Sequence, residues 1–128
     1  MDPIVHFEIP AKDVKRAAAF YTKAFGWNIT KFPDFDYWTL GTTPVGKNGM
    51  PKKPGSINGG MGKMGEMAPM AVTVTISVAD IDKALAAVKK LGGKVVGKKT
   101  PVGEMGFSAY FEDTEGNVVG LWQTTGRM

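Results

Sequence analysis

The chain has 128 residues, 43% of them hydrophobic and 22% charged, which is ordinary globular usage and enough for one core. There is no cysteine, so disulfides and thiolate metal sites are excluded. The net charge is +4, but the lysines are scattered and the only arginines are Arg16 and Arg127, which argues for a solvated basic surface and against a nucleic-acid partner.

In chain order, the first element is an alternating stretch in which Val5, Phe7 and Ile9 interleave with His6 and Glu8. Period two with β-branched and aromatic residues predicts a half-buried strand. Asp13 stands where an N-cap would, and Val14, Ala17, Ala18, Tyr21, Ala24 and Phe25 form one helical stripe ending at Gly26. Three further strands are predicted over 27–32, 37–42 and 56–61, with 43–55 as a protruding loop rich in glycine, proline and lysine. The stretch 62–70 reads as a flexible linker.

The pattern then repeats at an offset of 67, which sets Asp80 on Asp13, Ile76 on Ile9, Ala84 on Ala17 and Gly93 on Gly26. Val72, Val74, Ile76 and Val78 alternate with Thr73, Thr75 and Ser77. A helix follows from Asp80, with Ile81, Ala84, Leu85, Val88 and Leu91 on its stripe and Gly92-Gly93 at its end. Strands are predicted over 94–99, 105–112 and 118–123, the last two joined by a turn at 113–117. The organisation expected is thus a single domain over 1–128: a half over about 1–62, the linker, and a half over about 71–128.

Three motifs carry a family likeness. Phe20-Tyr21-Thr22-Lys23-Ala24-Phe25-Gly26-Trp27 resembles an FYxxxFGW helix end. Val78-Ala79-Asp80-Ile81-Asp82-Lys83-Ala84 is similar to the strand-to-helix turn of the same family. Phe111-Glu112-Asp113-Thr114-Glu115-Gly116-Asn117 resembles its F-x-D-P-x-G-N turn, with Thr114 where proline is usual. Together with the repeat, the chain resembles the vicinal oxygen chelate superfamily of glyoxalase, bleomycin-resistance and dioxygenase relatives. The resemblance implies an α+β fold: two tandem βαβββ modules forming a curved, cup-shaped mixed sheet with helices on the convex side. It implies a homodimer and a small-molecule ligand on the concave side. It would place His6, Glu8, Thr73 and Thr75 in the cup and Val5, Phe7 and Ile9 under the helices.

Metal-dependent relatives hold one divalent ion with side chains from four strands, and the ion grips neighbouring substrate oxygens. Carried over, His6 matches the first ligand position, while the others fall at Thr73, at Gly120 and near Asn58-Gly59-Gly60. His6 is the only histidine. A single matching ligand predicts no catalytic metal and no cofactor.

His6 and Glu8 share a strand face and are the candidate acid/base pair, Glu8 being expected to raise the histidine's pKa. Trp38 (or else Tyr37), Trp122, Thr73 and Thr75 are candidate ligand contacts. Nucleophile, P-loop and dinucleotide motifs are absent from the sequence. No signal peptide is recognised at the start and no apolar run could cross a bilayer, so the expected address is cytoplasmic, without a membrane partner. The expected function is small-molecule binding of the bleomycin-resistance type without a catalytic metal. The alternative is a metal-dependent lyase or isomerase like glyoxalase I; a dioxygenase would need a second histidine.

Overall fold

The alternation at the N-terminus forms strand β1 (Ile4–Ala11), and the stripe after Asp13 forms helix α1 (Val14–Phe25). Strands β2 (Asn28–Lys31), β3 (Tyr37–Gly41) and β4 (Gly59–Lys63) complete the first βαβββ module. The second is β5 (Thr73–Ser77), α2 (Ile81–Lys90), β6 (Lys94–Val102), β7 (Gly106–Glu112) and β8 (Val118–Thr124). The computed structural model describes residues 1–125; Arg127 and the end of the second half as drawn from sequence lie outside them. The fold is α+β, as the repeat predicts.

Contacts divide the chain into two compact units: His6–Val72, and the residues from Thr73 onward together with Met1–Val5. In the first, β1 runs parallel to β4, and β3 is antiparallel to both β4 and β2. In the second, β5 runs parallel to β8, and β7 is antiparallel to both β8 and β6. There the Ser77 amide also donates to the Pro3 carbonyl at 2.9 Å.

Both helices begin as expected. The Asp13 carboxylate accepts from the Arg16 amide and the Asp80 carboxylate from the Lys83 amide, each at 3.1 Å, satisfying amides that the first turn leaves without partners. At the end of α1, Gly26 takes φ 73°, the left-handed conformation that glycine adopts at least cost.

Each unit has a small core on the helix side of its strands. In the first, Ala11, Leu40 and Met61 are buried, with Phe7, Ile9, Val14, Ala17, Tyr21, Trp27, Ile29 and Trp38 packed around them. In the second, Ile81, Ala109 and Leu121 are buried beneath Ile76, Val78, Ala84, Leu85, Phe107 and Phe111. The stripe of α1 is narrower than its sequence suggests, because Phe25 remains 64% exposed. Val72 and Val74, which share the alternation of Ile76 and Val78, are likewise exposed.

Three segments differ from expectation. β4 starts and ends later than 56–61, because its hydrogen bonds follow β1 as far as Ala11. The stretch read as a flexible linker is tied down: the Met64 amide donates to Ala11 at 2.9 Å, the Gly65 amide donates to Ala68 at 2.9 Å, and Ala68 is buried. β6 runs on to Val102 across a register shift between Val96 and Thr100, at the φ-positive Gly97. No helix among the described residues is long and apolar enough to cross a membrane.

Candidate functional site

The register of the first unit decides which side chains meet. Glu8 on β1 lies opposite Gly60 on β4, and Gly60 lies opposite Thr39 on β3. Ile9 lies opposite Met61, and Met61 opposite Trp38. Ile9, Met61, Trp38 and Leu40 therefore face the helix, while His6, Glu8, Gly60, Thr39 and Tyr37 share the other face.

On that face Tyr37 reaches diagonally across β4. Its hydroxyl donates to Glu8 Oε2 at 2.7 Å and stands 3.1 Å from His6 Nε2. The crossing is possible only because residue 60 has no side chain: a Cβ there would overlap the Tyr37 hydroxyl and ring carbons. A tyrosine hydroxyl has one proton, and here Glu8 takes it, so an ionised Glu8 fixes the neighbouring contact as His6 Nε2–H donating to the Tyr37 oxygen. The neutral imidazole is then protonated on Nε2, which leaves Nδ1 as an acceptor.

Burial lowers the His6 pKa from its usual value, and the Glu8 charge opposes this more weakly. Glu8 does act in the expected direction, raising the pKa, but desolvation of the imidazolium outweighs it and the net shift is downward. Glu8 is 5% exposed and intimately paired, so it stands deeper in the unit than an open site floor would.

Beside Tyr37 two further aromatics gather. Phe32 lies 6.1 Å from the Tyr37 ring and 5.8 Å from Phe35 by centroids, and all three are half-buried. The turn that carries them is held by Lys31, whose Nζ donates to the Phe32 and Phe35 carbonyls at 3.0 Å each and lies 3.7 Å from an Asp36 carboxylate oxygen. Phe32 and Phe35 were missed in the sequence. The dense aromatic run Phe-Pro-Asp-Phe-Asp-Tyr-Trp from Phe32 to Trp38 is the signal that could have found them.

Trp38, expected in the cup, is turned to the helix-packed face, with the Lys31 ammonium 5.8 Å from its ring. Its neighbour Tyr37 takes the His6 face instead. Composition favoured neither; one register position decides it.

In the second unit Thr75 pairs with Gly120 and Ser77 with Trp122, so Thr73, Thr75, Gly120 and Trp122 share the face away from Leu121 and the helix. Thr73 is 3% and Thr75 7% exposed. Trp122 Nε1 donates to Thr124 Oγ1 at 3.0 Å, and its ring passes over Gly106, where a Cβ would come within 2.8 Å of it.

The donor set does not suit a divalent ion. At the ligand positions implied by resemblance, Gly60 is covered by the Tyr37 ring, and Asn58 Oδ1 accepts from the Thr42 and Thr43 amides at 2.8 and 3.0 Å. Thr73 offers a neutral hydroxyl. Gly120 lacks a side chain, and the Thr75 hydroxyl would lie 2.8 Å from any Cβ placed there. Among the described residues no three of histidine, cysteine, aspartate and glutamate come together as a metal group.

Comparison with known proteins agrees with this architecture. A glyoxylase-like domain-containing protein of Didymella fabae is 34% identical over 124 residues, covering 94% of this chain and 92% of that protein. A hypothetical protein from Bacillus halodurans C-125 superposes with a TM-score of 0.65 at 13% identity, over 99% of this chain and 97% of that one. Streptomyces coelicolor methylmalonyl-CoA epimerase superposes with a TM-score of 0.65 at 15% identity, over 97% of this chain and 95% of that one. At those identities the two structures speak for the fold alone. The model of the Glyoxalase/Bleomycin resistance protein/Dioxygenase superfamily matches residues 3–121, and the chain belongs to that superfamily.

Proposed function

We propose that this protein binds a small organic molecule on the His6–Tyr37–Glu8 face of its first module, without a resident divalent metal. The observation that carries the reading is the phenol of Tyr37, which crosses Gly60 and ties the only histidine to the neighbouring carboxylate. A metal on His6 would compete with this relay, and the positions that would supply further ligands are glycines, a threonine and Asn58, whose side-chain oxygen already accepts from two amides. What the relay offers instead is an oriented neutral imidazole with Nδ1 as acceptor, and on the same face, beyond Tyr37, the half-buried rings of Phe32 and Phe35. That suits a planar molecule carrying an O–H or N–H donor, with the rings taking its apolar face.

A second reading is supported by the same histidine. Burial keeps His6 neutral near neutral pH, the state that a general base needs. An isomerase or lyase acting on a compound with adjacent oxygens would use it to take a proton.

Metal analysis of protein purified without chelator, together with a thermal-shift screen of planar hydroxylated compounds, tests the proposal. Metal should be substoichiometric, and a stabilising compound should lose about 10- to 100-fold in affinity on His6→Ala, the scale of one lost hydrogen bond to a buried partner. Stoichiometric zinc, nickel or iron that disappears in His6→Ala would overturn it. The proposal includes a homodimer, supported by the large apolar side chains of Phe20, Phe25 and Val72 that stay exposed in one chain. Light scattering that reports only 13.7 kDa particles at micromolar concentration would remove that part.

A further inference from the structure

An open depression lies on the surface of the first unit, on the other side of β1 from His6. Its volume is about 890 Å³, and its lining includes Phe7, Trp27, Thr43, Lys52, Lys53 and Ile57. Phe7 belongs to the helix-side cluster, so this space opens from the face that His6 and Glu8 turn away from.

The floor is aromatic and fixed. Trp27 stacks on Tyr21 with centroids 4.8 Å apart and planes within 6°, and Phe7 lies 6.0 Å from Trp27. The Phe7 ring is seated against Gly59, where a Cβ would come within 2.7 Å of it. The wall is a loop closed at both ends. At its base the Asn58 side chain accepts from the Thr42 and Thr43 amides, and the Thr42 hydroxyl donates to the Ile57 carbonyl at 2.6 Å. Toward its tip the Lys52 amide donates to Pro44 at 3.0 Å and the Gly46 amide to Met50 at 2.8 Å. The loop thus presents two adjacent exposed ammonium groups, Lys52 and Lys53, beside an aromatic floor. No acidic residue lines the depression among the described residues.

The geometry points to a binding site for a planar aromatic carboxylate, separate from the His6 face. The ring lies over Phe7 and Trp27, and the carboxylate meets Lys52 and Lys53, with the Thr43 hydroxyl within the same lining. The space is open to solvent, so a ligand would lie across it rather than be enclosed, and a wall already closed by hydrogen bonds spares the ligand the entropy of ordering it. Two like charges with no acidic neighbour favour an anion over a neutral molecule of the same shape.

Equilibrium dialysis with 2-naphthoate, and with its uncharged amide, tests the site. Binding of 2-naphthoate should saturate, should exceed that of the amide, and should weaken at high salt. The Lys52→Ala/Lys53→Ala variant changes only exposed side chains and keeps the fold. It should lose about tenfold or more for the acid while leaving the amide within about twofold. Absence of saturable binding, equal affinity for acid and amide, or a loss on Tyr37→Phe without a loss on the lysine variant would each overturn the inference. The last outcome would place the probe on the His6 face.

Discussion

The two modules share a frame and fill it differently. In each, the first strand runs parallel to the last, and the second residue of the pair on its helix-free face lies opposite a glycine: Glu8 opposite Gly60, Thr75 opposite Gly120. In each, a tyrosine of the neighbouring strand lies over that glycine. Tyr37 crosses Gly60 diagonally to reach β1, whereas Tyr110 is directly opposite Gly120, its ring 3.4 Å from where a Cβ would stand. The pair facing away from the helix is His6 and Glu8 in one module and Thr73 and Thr75 in the other. The same backbone therefore holds a titratable relay once and a neutral hydroxyl pair once. Topology supplies the gap across which an aromatic can lean, and two residues on the first strand decide whether ionisable or neutral side chains stand beneath it.

The comparison is broken most severely at the glycines. Gly60→Ala should destabilise the protein by about 3 kcal/mol, since the new methyl overlaps the Tyr37 hydroxyl and ring and the relay must open. Gly120→Ala meets Thr75 Oγ1 at 2.8 Å and Tyr110 at 3.4 Å, a milder collision. Alanine's better strand entropy offsets part of it, so about 1 kcal/mol is expected. Urea denaturation of both variants gives the ordering. Adding Tyr37→Ala to Gly60→Ala should recover part of the loss, because the collision goes with the ring; strict additivity in that double-mutant cycle would refute the steric account.

A smaller loss is expected from Tyr37→Phe, which keeps the ring and deletes the hydroxyl. Glu8 and His6 each lose a hydrogen bond in a half-buried or buried setting, worth about 1–3 kcal/mol together. If the relay is what orients His6, the variant should also make its imidazole NMR signals average between tautomers. Unchanged stability together with unchanged imidazole shifts would show that the phenol only fills space.

Much of this frame was legible beforehand. The offset of 67 placed both helices, and Asp13 and Asp80 cap them as the N-cap argument requires. The alternation of β1 put His6 and Glu8 on one face and Phe7 and Ile9 on the other, because a strand's period of two needs no partner to be read. The face of Trp38 was not legible. In the pair Tyr37-Trp38 both side chains suit either side of a sheet, and only the register with Met61 settles which faces the helix. The exposure of Val74 was hidden for a similar reason: alternation states that residues share a face, not how far the helix cover extends along it. Gly60 looked like an absent metal ligand. Its positive role, making room for a side chain two strands away from Glu8, is a long-range contact that no local pattern encodes.

The smallest effect expected is one of pH near neutrality, and it belongs to the His6 position, whose counterparts Thr73 and Thr75 do not titrate. Burial places the His6 pKa below its unfolded value near 6.5. Above that value the imidazole is neutral in both states and the site is unstressed. As pH falls below about 6.5, the unfolded chain takes up a proton that the folded chain resists, so the unfolded state binds more protons and stability declines. The loss continues until pH passes the lowered folded value, where both states are protonated and the slope vanishes. Denaturation midpoints should therefore fall on acidification from pH 7 into this window, before the carboxylates begin to titrate. His6→Gln, which keeps a polar side chain that can donate to Tyr37, should flatten the curve there while leaving the steeper acid loss below it. Persistence of the slope in His6→Gln, or a wild type that gains stability on acidification through this range, would mean that the charge of Glu8 outweighs the burial of the imidazole.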